Sequence, residues 1–95
     1  MKCNTKIVAT LGPASDPLLR QLLTAGVDVF RLNASHGTQA EHKTRIDAVR
    51  ALALEFGRYP AVLLDLQGPK IRLGKIANEP ITLNKGDKLT LTTGA

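Results

Sequence analysis

The stretch Val27-Asp28-Val29-Phe30-Arg31-Leu32-Asn33-Ala34-Ser35-His36-Gly37 decides how the rest of the chain is read. Val27 to Asn33 is rich in β-branched and aromatic residues and predicts a strand. Alternate residues of a strand face opposite sides. Val27, Val29, Arg31 and Asn33 therefore share one face, and Phe30 and Leu32 share the other, with Asp28 at the strand's start. A cation and an amide on a face that also carries valines call for a reason, because unpaired polar groups are costly to bury.

Working outward, the flanking segments alternate between strand and helix patterns. Thr5 to Leu11 predicts a first strand, stopped by Gly12-Pro13. Asp16 fits a helix N-cap, with Pro17 at the first helical position. Leu18, Leu19, Leu22 and Leu23 then form one helical face, and Gly26 ends the helix. A longer helix is expected over Gln39 to Phe56, with Ile46, Val49, Leu52, Ala53 and Phe56 as its apolar stripe and Gly57 closing it. Ala61 to Leu66 predicts a third strand, broken by Gly68-Pro69.

This βαβαβ order predicts an α/β fold with parallel strands and right-handed crossovers. Three strands are too few to close a barrel, and an open sheet of three would leave bare edges. The unit is therefore expected to be incomplete. Beyond Pro69 the pattern changes. Ile71 to Ile76, Ile81 to Leu83 and Lys88 to Thr92 are short strand candidates, and Asn84-Lys85-Gly86-Asp87 is a turn signal. Residues 1–69 and 70–95 are expected to belong to two units, the second all-β.

Composition narrows the function classes. In 95 residues there are 13 basic and 8 acidic side chains, a net charge of +5. The cations are scattered, as on a solvated surface, rather than clustered as a nucleic-acid patch would be. Two Phe, one Tyr and no Trp make no stacking platform for single strands. The lone Cys3 forms no internal disulfide and no metal framework, which fits a reducing compartment. No apolar region follows Met1-Lys2-Cys3-Asn4, and no apolar run approaches a membrane span. The expectation is a cytoplasmic protein with neither nucleic-acid nor membrane partner.

Chemistry in parallel α/β folds collects at the carboxyl ends of strands. The first strand ends at Thr10, the second in Arg31 to Gly37, and the third in Asp65-Leu66-Gln67-Gly68-Pro69-Lys70. Packing Phe30, Leu32, Val62 and Leu64 against helices would bring Arg31, Asn33 and Asp65 together, with Ser35 beside them. Plainer roles exist for each: Asp65 as a surface partner of Arg31, and Asn33 and Ser35 as caps of the next helix. His36 lies near the cluster and is placed to donate to an anion. His42, six residues on, makes no helical metal pair with it and reads as a solvated helix residue. No glycine-rich phosphate loop is present, so a phosphate would be held by arginine and loop amides.

At these residues the chain resembles the amino-terminal end of the pyruvate kinase family. The resemblance rests on Thr5 to Ser15, on Arg31 to Gly37, and on Leu64-Asp65-Leu66-Gln67-Gly68-Pro69-Lys70-Ile71-Arg72, three motifs in order and at matching spacing. It implies the opening of a (β/α)8 barrel, followed by the first strands of an inserted β-barrel lid domain. It also implies phosphoryl transfer from phosphoenolpyruvate to ADP, giving pyruvate and ATP, in a homo-oligomer such as the family's tetramer. By the same resemblance Arg31 contacts the transferring phosphoryl group. Asn33, His36 and Arg72 contact nucleotide phosphates, and Thr10 and Pro13 lie near the nucleotide. Asn33, Ser35, Asp65 and the carbonyl of Leu66 match a monovalent-cation site. The ligands for Mg²⁺ or Mn²⁺ fall outside these residues, so the segment alone is expected to be inactive. The alternative is a freestanding noncatalytic module that binds a nucleotide or another chain.

Three departures from the family pattern stand out. Ala34 replaces a usual Phe, and Glu41 replaces an aromatic residue that contacts the nucleotide base. Leu66-Gln67 and Lys70 stand where potassium-dependent members carry Thr-Lys and Glu. This combination resembles the potassium-independent branch, with the Lys70 ammonium as an internal substitute for the ion, so K⁺ is expected not to be required.

Overall fold

A computed structural model describes residues 4–93; Cys3 lies outside them. The elements are β1 (Val8–Thr10), a 3₁₀ turn (Asp16–Leu18), α1 (Leu19–Ala25), β2 (Val29–Asn33), α2 (Gln39–Phe56) and β3 (Ala61–Asp65). The strands form one parallel sheet in the order β1-β2-β3. Val8 pairs with Val29, and Val29 with Ala61; at the other end Asn33 pairs with Asp65.

The strands are shorter than their patterns suggest, and local hydrogen bonds explain why. The amide of Ile7 donates to Asp28 Oδ2 at 2.9 Å, which removes it from the ladder. Val27 lies past α1 but is tied back to its end. Its amide donates to the Leu22 carbonyl and that of Gly26 to the Leu23 carbonyl, both at 3.2 Å. Gly26 takes φ +110°, the left-handed conformation such a helix end requires. Arg58 Nη1 reinforces this end by donating to the Leu23 carbonyl at 2.6 Å. Leu66, expected in β3, lies just past its last residue.

Asp16 does not cap a helix. Ser15 precedes the 3₁₀ turn, and Asp16 is the turn's first residue. Its carboxylate instead accepts from Arg45 Nε at 2.7 Å and Nη2 at 3.0 Å, joining the first crossover to α2. The start of α2 is a reciprocal cap, and neither Asn33 nor Ser35 forms it. The Glu41 amide donates to Thr38 Oγ1 at 3.2 Å, and the Thr38 amide donates to Glu41 Oε2 at 3.1 Å. The Glu at position 41 thus has a structural task that an aromatic residue cannot perform.

Both helices cover the same face of the sheet. Leu19 and Leu23 from α1, Val49 from α2, and Phe30 and Leu32 from β2 belong to one core cluster. Phe30, Leu23 and Leu32 are the largest fully buried side chains. Each contributes roughly 1.5–3 kcal/mol by leaving water. Consecutive parallel strands with both crossovers on one side wind in a single sense, as the strands of a barrel do; a doubly wound sheet carries helices on both faces.

The other face of the sheet is bare. Val8 is 54% exposed and Leu63 44%. From Leu63 to Thr93 every residue is exposed, and residues 66–93 contain no helix or strand. The expected strands at Ile71 to Ile76, Ile81 to Leu83 and Lys88 to Thr92 are therefore not formed, for want of partner strands to complete a ladder. The turn signal is realised: the Asp87 amide donates to the Asn84 carbonyl at 3.0 Å, with Gly86 at φ +95°. The accessible surface is 8078 Å², against about 5,300 Å² for a compact monomer of this mass. The radius of gyration is 19.1 Å, against about 12 Å for a compact chain of this length. Among the described residues no helix is long and apolar enough to cross a membrane.

The Arg45 hydrogen bonds hold the Asp16 carboxyl below its ordinary value of 3.8. The stability this pair contributes is present above that value and is lost as pH falls through the lower folded one. Asp16 is 42% exposed, so the contribution is modest, about 0.5 kcal/mol. Asp16→Asn should lower the melting temperature at pH 7 by about 2–4 °C, with the gap closing as pH falls below 3.8. Thermal unfolding followed by circular dichroism on both sides of that pH checks this; a gap unchanged at low pH would contradict it.

Candidate functional site

Register builds the site. Thr10 of β1 is the in-register partner of Arg31 of β2, and Asp65 of β3 lies two positions beyond Leu63, the residue opposite Arg31. All three side chains leave the sheet on the bare face. The guanidinium of Arg31 reaches across both neighbours. Its Nε donates to Asp65 Oδ2 at 3.2 Å, its Nη2 to the same oxygen at 2.5 Å, and its Nη1 to Thr10 Oγ1 at 3.1 Å. Of the three side chains expected to converge at the strand ends, Arg31 and Asp65 meet. Asn33 shares their face as the register partner of Asp65, but its side chain turns to the following loop. Leu64, expected against the helices, is 45% exposed. The plainer expectation that Asp65 is the ion-pair partner of Arg31 is met.

The loop after β2 is ordered by its own polar groups. The Ser35 amide donates to Asn33 Oδ1 at 3.0 Å, and the His36 amide to the Asn33 carbonyl at 3.2 Å. The Ala34 amide donates to the Asp65 carbonyl at 2.9 Å, tying the loop to the end of β3. Lys70 Nζ donates to Ser35 Oγ. The ammonium thus sits on the Ser35 hydroxyl oxygen, and Arg31 occupies Oδ2 of Asp65.

The remaining candidates lie farther out. His36 is exposed, and Pro13 is exposed in the turn after β1. Arg72 is not joined to the cluster; it lines a cleft with Ile71, Leu73, Leu91, Thr92 and Thr93. Leu66 is 74% exposed. His42 is not solvated at its nitrogens: both are buried and lack a hydrogen-bond partner. Its ring lies close to Gly37, where the capping turn folds back on α2. A cleft of about 700 Å³ lies between α2 and the end of β3 and is lined by His42, Ile46, Leu64 and Gly68 among others. It takes in none of Thr10, Arg31, Asn33, Ser35, Asp65 or Lys70. The cleft is itself lined by Lys43, Asp47 and Arg50; the polar cluster is the better candidate for chemistry because it lies at the carboxyl ends of the strands.

Among the described residues no three His, Cys, Asp or Glu side chains gather as a metal site. What the cluster offers is two cations of different kinds, a planar fork on β2 and a point charge bonded to the loop that follows β2. Such a pair suits an oxyanion that bears several negative charges.

Sequential parallel strands, helices on one face and polar side chains at the strand ends define the opening of a parallel α/β barrel. Comparison with known proteins gives the particular barrel. The sequence profile of the pyruvate kinase barrel domain matches residues 2–95. The chain is 49% identical over 90 residues to the pyruvate kinase of Sporosarcina psychrophila, covering 93% of this chain and 15% of that protein. It is 50% identical over 93 residues to pyruvate kinase 2 of a Synechocystis species, covering 94% and 16%. It is 51% identical over 89 residues to the pyruvate kinase of Mycobacterium intracellulare, covering 92% and 19%. The chain belongs to the pyruvate kinase family, and it spans less than a fifth of the length of these relatives.

Proposed function

We propose that these residues supply the phosphoryl-binding corner of an enzyme that transfers a phosphoryl group from phosphoenolpyruvate to ADP, yielding pyruvate and ATP. The observation that carries the reading is the Arg31 guanidinium held at the carboxyl end of β2 with the Lys70 ammonium nearby on Ser35. Phosphoryl transfer demands positioning and charge neutralisation more than covalent help. Arg31 supplies a fixed fork of donors toward the transferring group. Asn33, His36 and Arg72 serve the nucleotide phosphates, with Thr10 and Pro13 nearby. A bound Mg²⁺ or Mn²⁺ neutralises phosphate charge in such a reaction; its ligands lie outside this chain, so the 95 residues by themselves do not turn over. Residues 1–69 open the barrel, and 70–95 begin the inserted lid.

Lys70 makes the reaction independent of potassium. Asn33, Ser35, Asp65 and the Leu66 carbonyl are hard oxygen donors, suited to an alkali cation. The Lys70 ammonium brings the same unit charge on a tethered stem. Its bond to Ser35 supports this role. A tethered charge loses less freedom at each turnover than a free ion does.

The test is the complete polypeptide that carries this segment. With Mg²⁺ it should form pyruvate from phosphoenolpyruvate and ADP; no pyruvate would reject the activity. An inactive protein that forms a discrete oligomer through its bare sheet face would point instead to a noncatalytic module. In potassium-free buffer the rate should lie within about twofold of that with K⁺, and Lys70→Glu should introduce potassium activation of about tenfold or more. Strong activation of the unaltered enzyme by K⁺ would overturn the role of Lys70.

A further inference from the structure

We infer that Thr10 is a positioning residue for Arg31, and that its hydroxyl acts on the phosphoryl-transfer step rather than on nucleotide affinity. The inference rests on the functional reading above and assigns a part within it.

The geometry of the guanidinium carries the argument. Nε and Nη2 of Arg31 both donate to one atom, Asp65 Oδ2, at 3.2 and 2.5 Å. Two donors converging on one oxygen fix the distance of the fork but leave it free to pivot about that oxygen. A carboxylate that used both oxygens would prevent the pivot. The restraint comes from the opposite strand. Thr10 Oγ1 accepts from Nη1 at 3.1 Å, on the terminal nitrogen that Asp65 does not touch. The guanidinium is thereby pinned at two separate points, one on β3 and one on β1. Three of its five N–H bonds are used, leaving one on each terminal nitrogen for an incoming oxyanion.

The backbone makes this arrangement available only to residue 10. Thr10 is the last residue of β1 and the direct register partner of Arg31, on the same face. Ala9 points the other way, toward the core. The next residue, Leu11, is buried. A β-branched hydroxyl at this point keeps the strand geometry while presenting an acceptor at short reach.

Orientation errors at a reacting group reduce the rate of the chemical step, whereas a direct contact with bound nucleotide acts on its binding. The two roles for Thr10 separate on that basis. In the complete enzyme, Thr10→Val keeps shape and strand preference and deletes the acceptor. We expect kcat to fall about tenfold, with the KM for ADP within twofold of the unaltered enzyme. Thr10→Ser restores the acceptor and should return kcat to within about threefold. Melting temperatures of both variants should match the parent within about 2 °C, since the bond is exposed. An increase in the KM for ADP with kcat unchanged would overturn the inference in favour of a nucleotide contact. So would a valine variant as fast as the parent, or a serine variant as slow as the valine one. Inactivity of the parent enzyme itself is a separate result: it removes the functional reading, and this role with it.

Discussion

One side chain spans the whole sheet. The Arg31 guanidinium bonds leftward to Thr10 of β1 and rightward to Asp65 of β3, so the outer strands share a charged link through the middle one. Arg31 is 29% exposed and Asp65 48%, so the ion pair contributes at most about 1 kcal/mol to stability. Its value lies in direction. A planar fork pinned on two strands points its remaining donors to one place, and fixed donors are what a multiply charged phosphoryl group needs.

The second constraint is that a barrel wall is only half covered. The helices cover Phe30 and Leu32 on one face but leave Leu64 half-exposed there, and the other face carries Val8, Arg31, Leu63 and Asp65 facing solvent. In a closed barrel such a face meets the remaining strands. This face and the exposed run from Leu63 to Thr93 account for the excess of exposed surface, and the bare face leaves the polar cluster an open shelf instead of a pocket. The cleft of about 700 Å³ lies behind the sheet, against α2, where the covering layer is incomplete.

Much of this was legible in the residues. The apolar stripe of α2 and the turn chemistry at Gly57 set that helix at the limits observed, Gln39–Phe56. Alternation in β2 separated Phe30 and Leu32 from Arg31 and Asn33, and the burial follows that division. Other features depend on tertiary partners that periodicity does not encode. Asp16 has the composition of a cap, but Arg45, 29 residues away, claims its carboxylate. His42 occupies a helix position that reads as exposed, yet the turn at Gly37 folds over its ring. The segments after Pro69 have strand-forming composition, but strand pairing is a property of two segments, and their partners are not supplied by the described residues. The bond between Thr10 and Arg31 needs the exact pairing of β1 with β2; a shift of one residue would put Ala9 or Leu11 in its place.

The central claim is that Arg31 meets the phosphoryl group in transfer, and replacing it in the complete enzyme tests this most directly. Arg31→Gln should lower kcat/KM for phosphoenolpyruvate by about 10²–10³-fold, while the melting temperature stays within about 4 °C of the parent. A loss of less than about threefold, with the fold intact, would contradict the account.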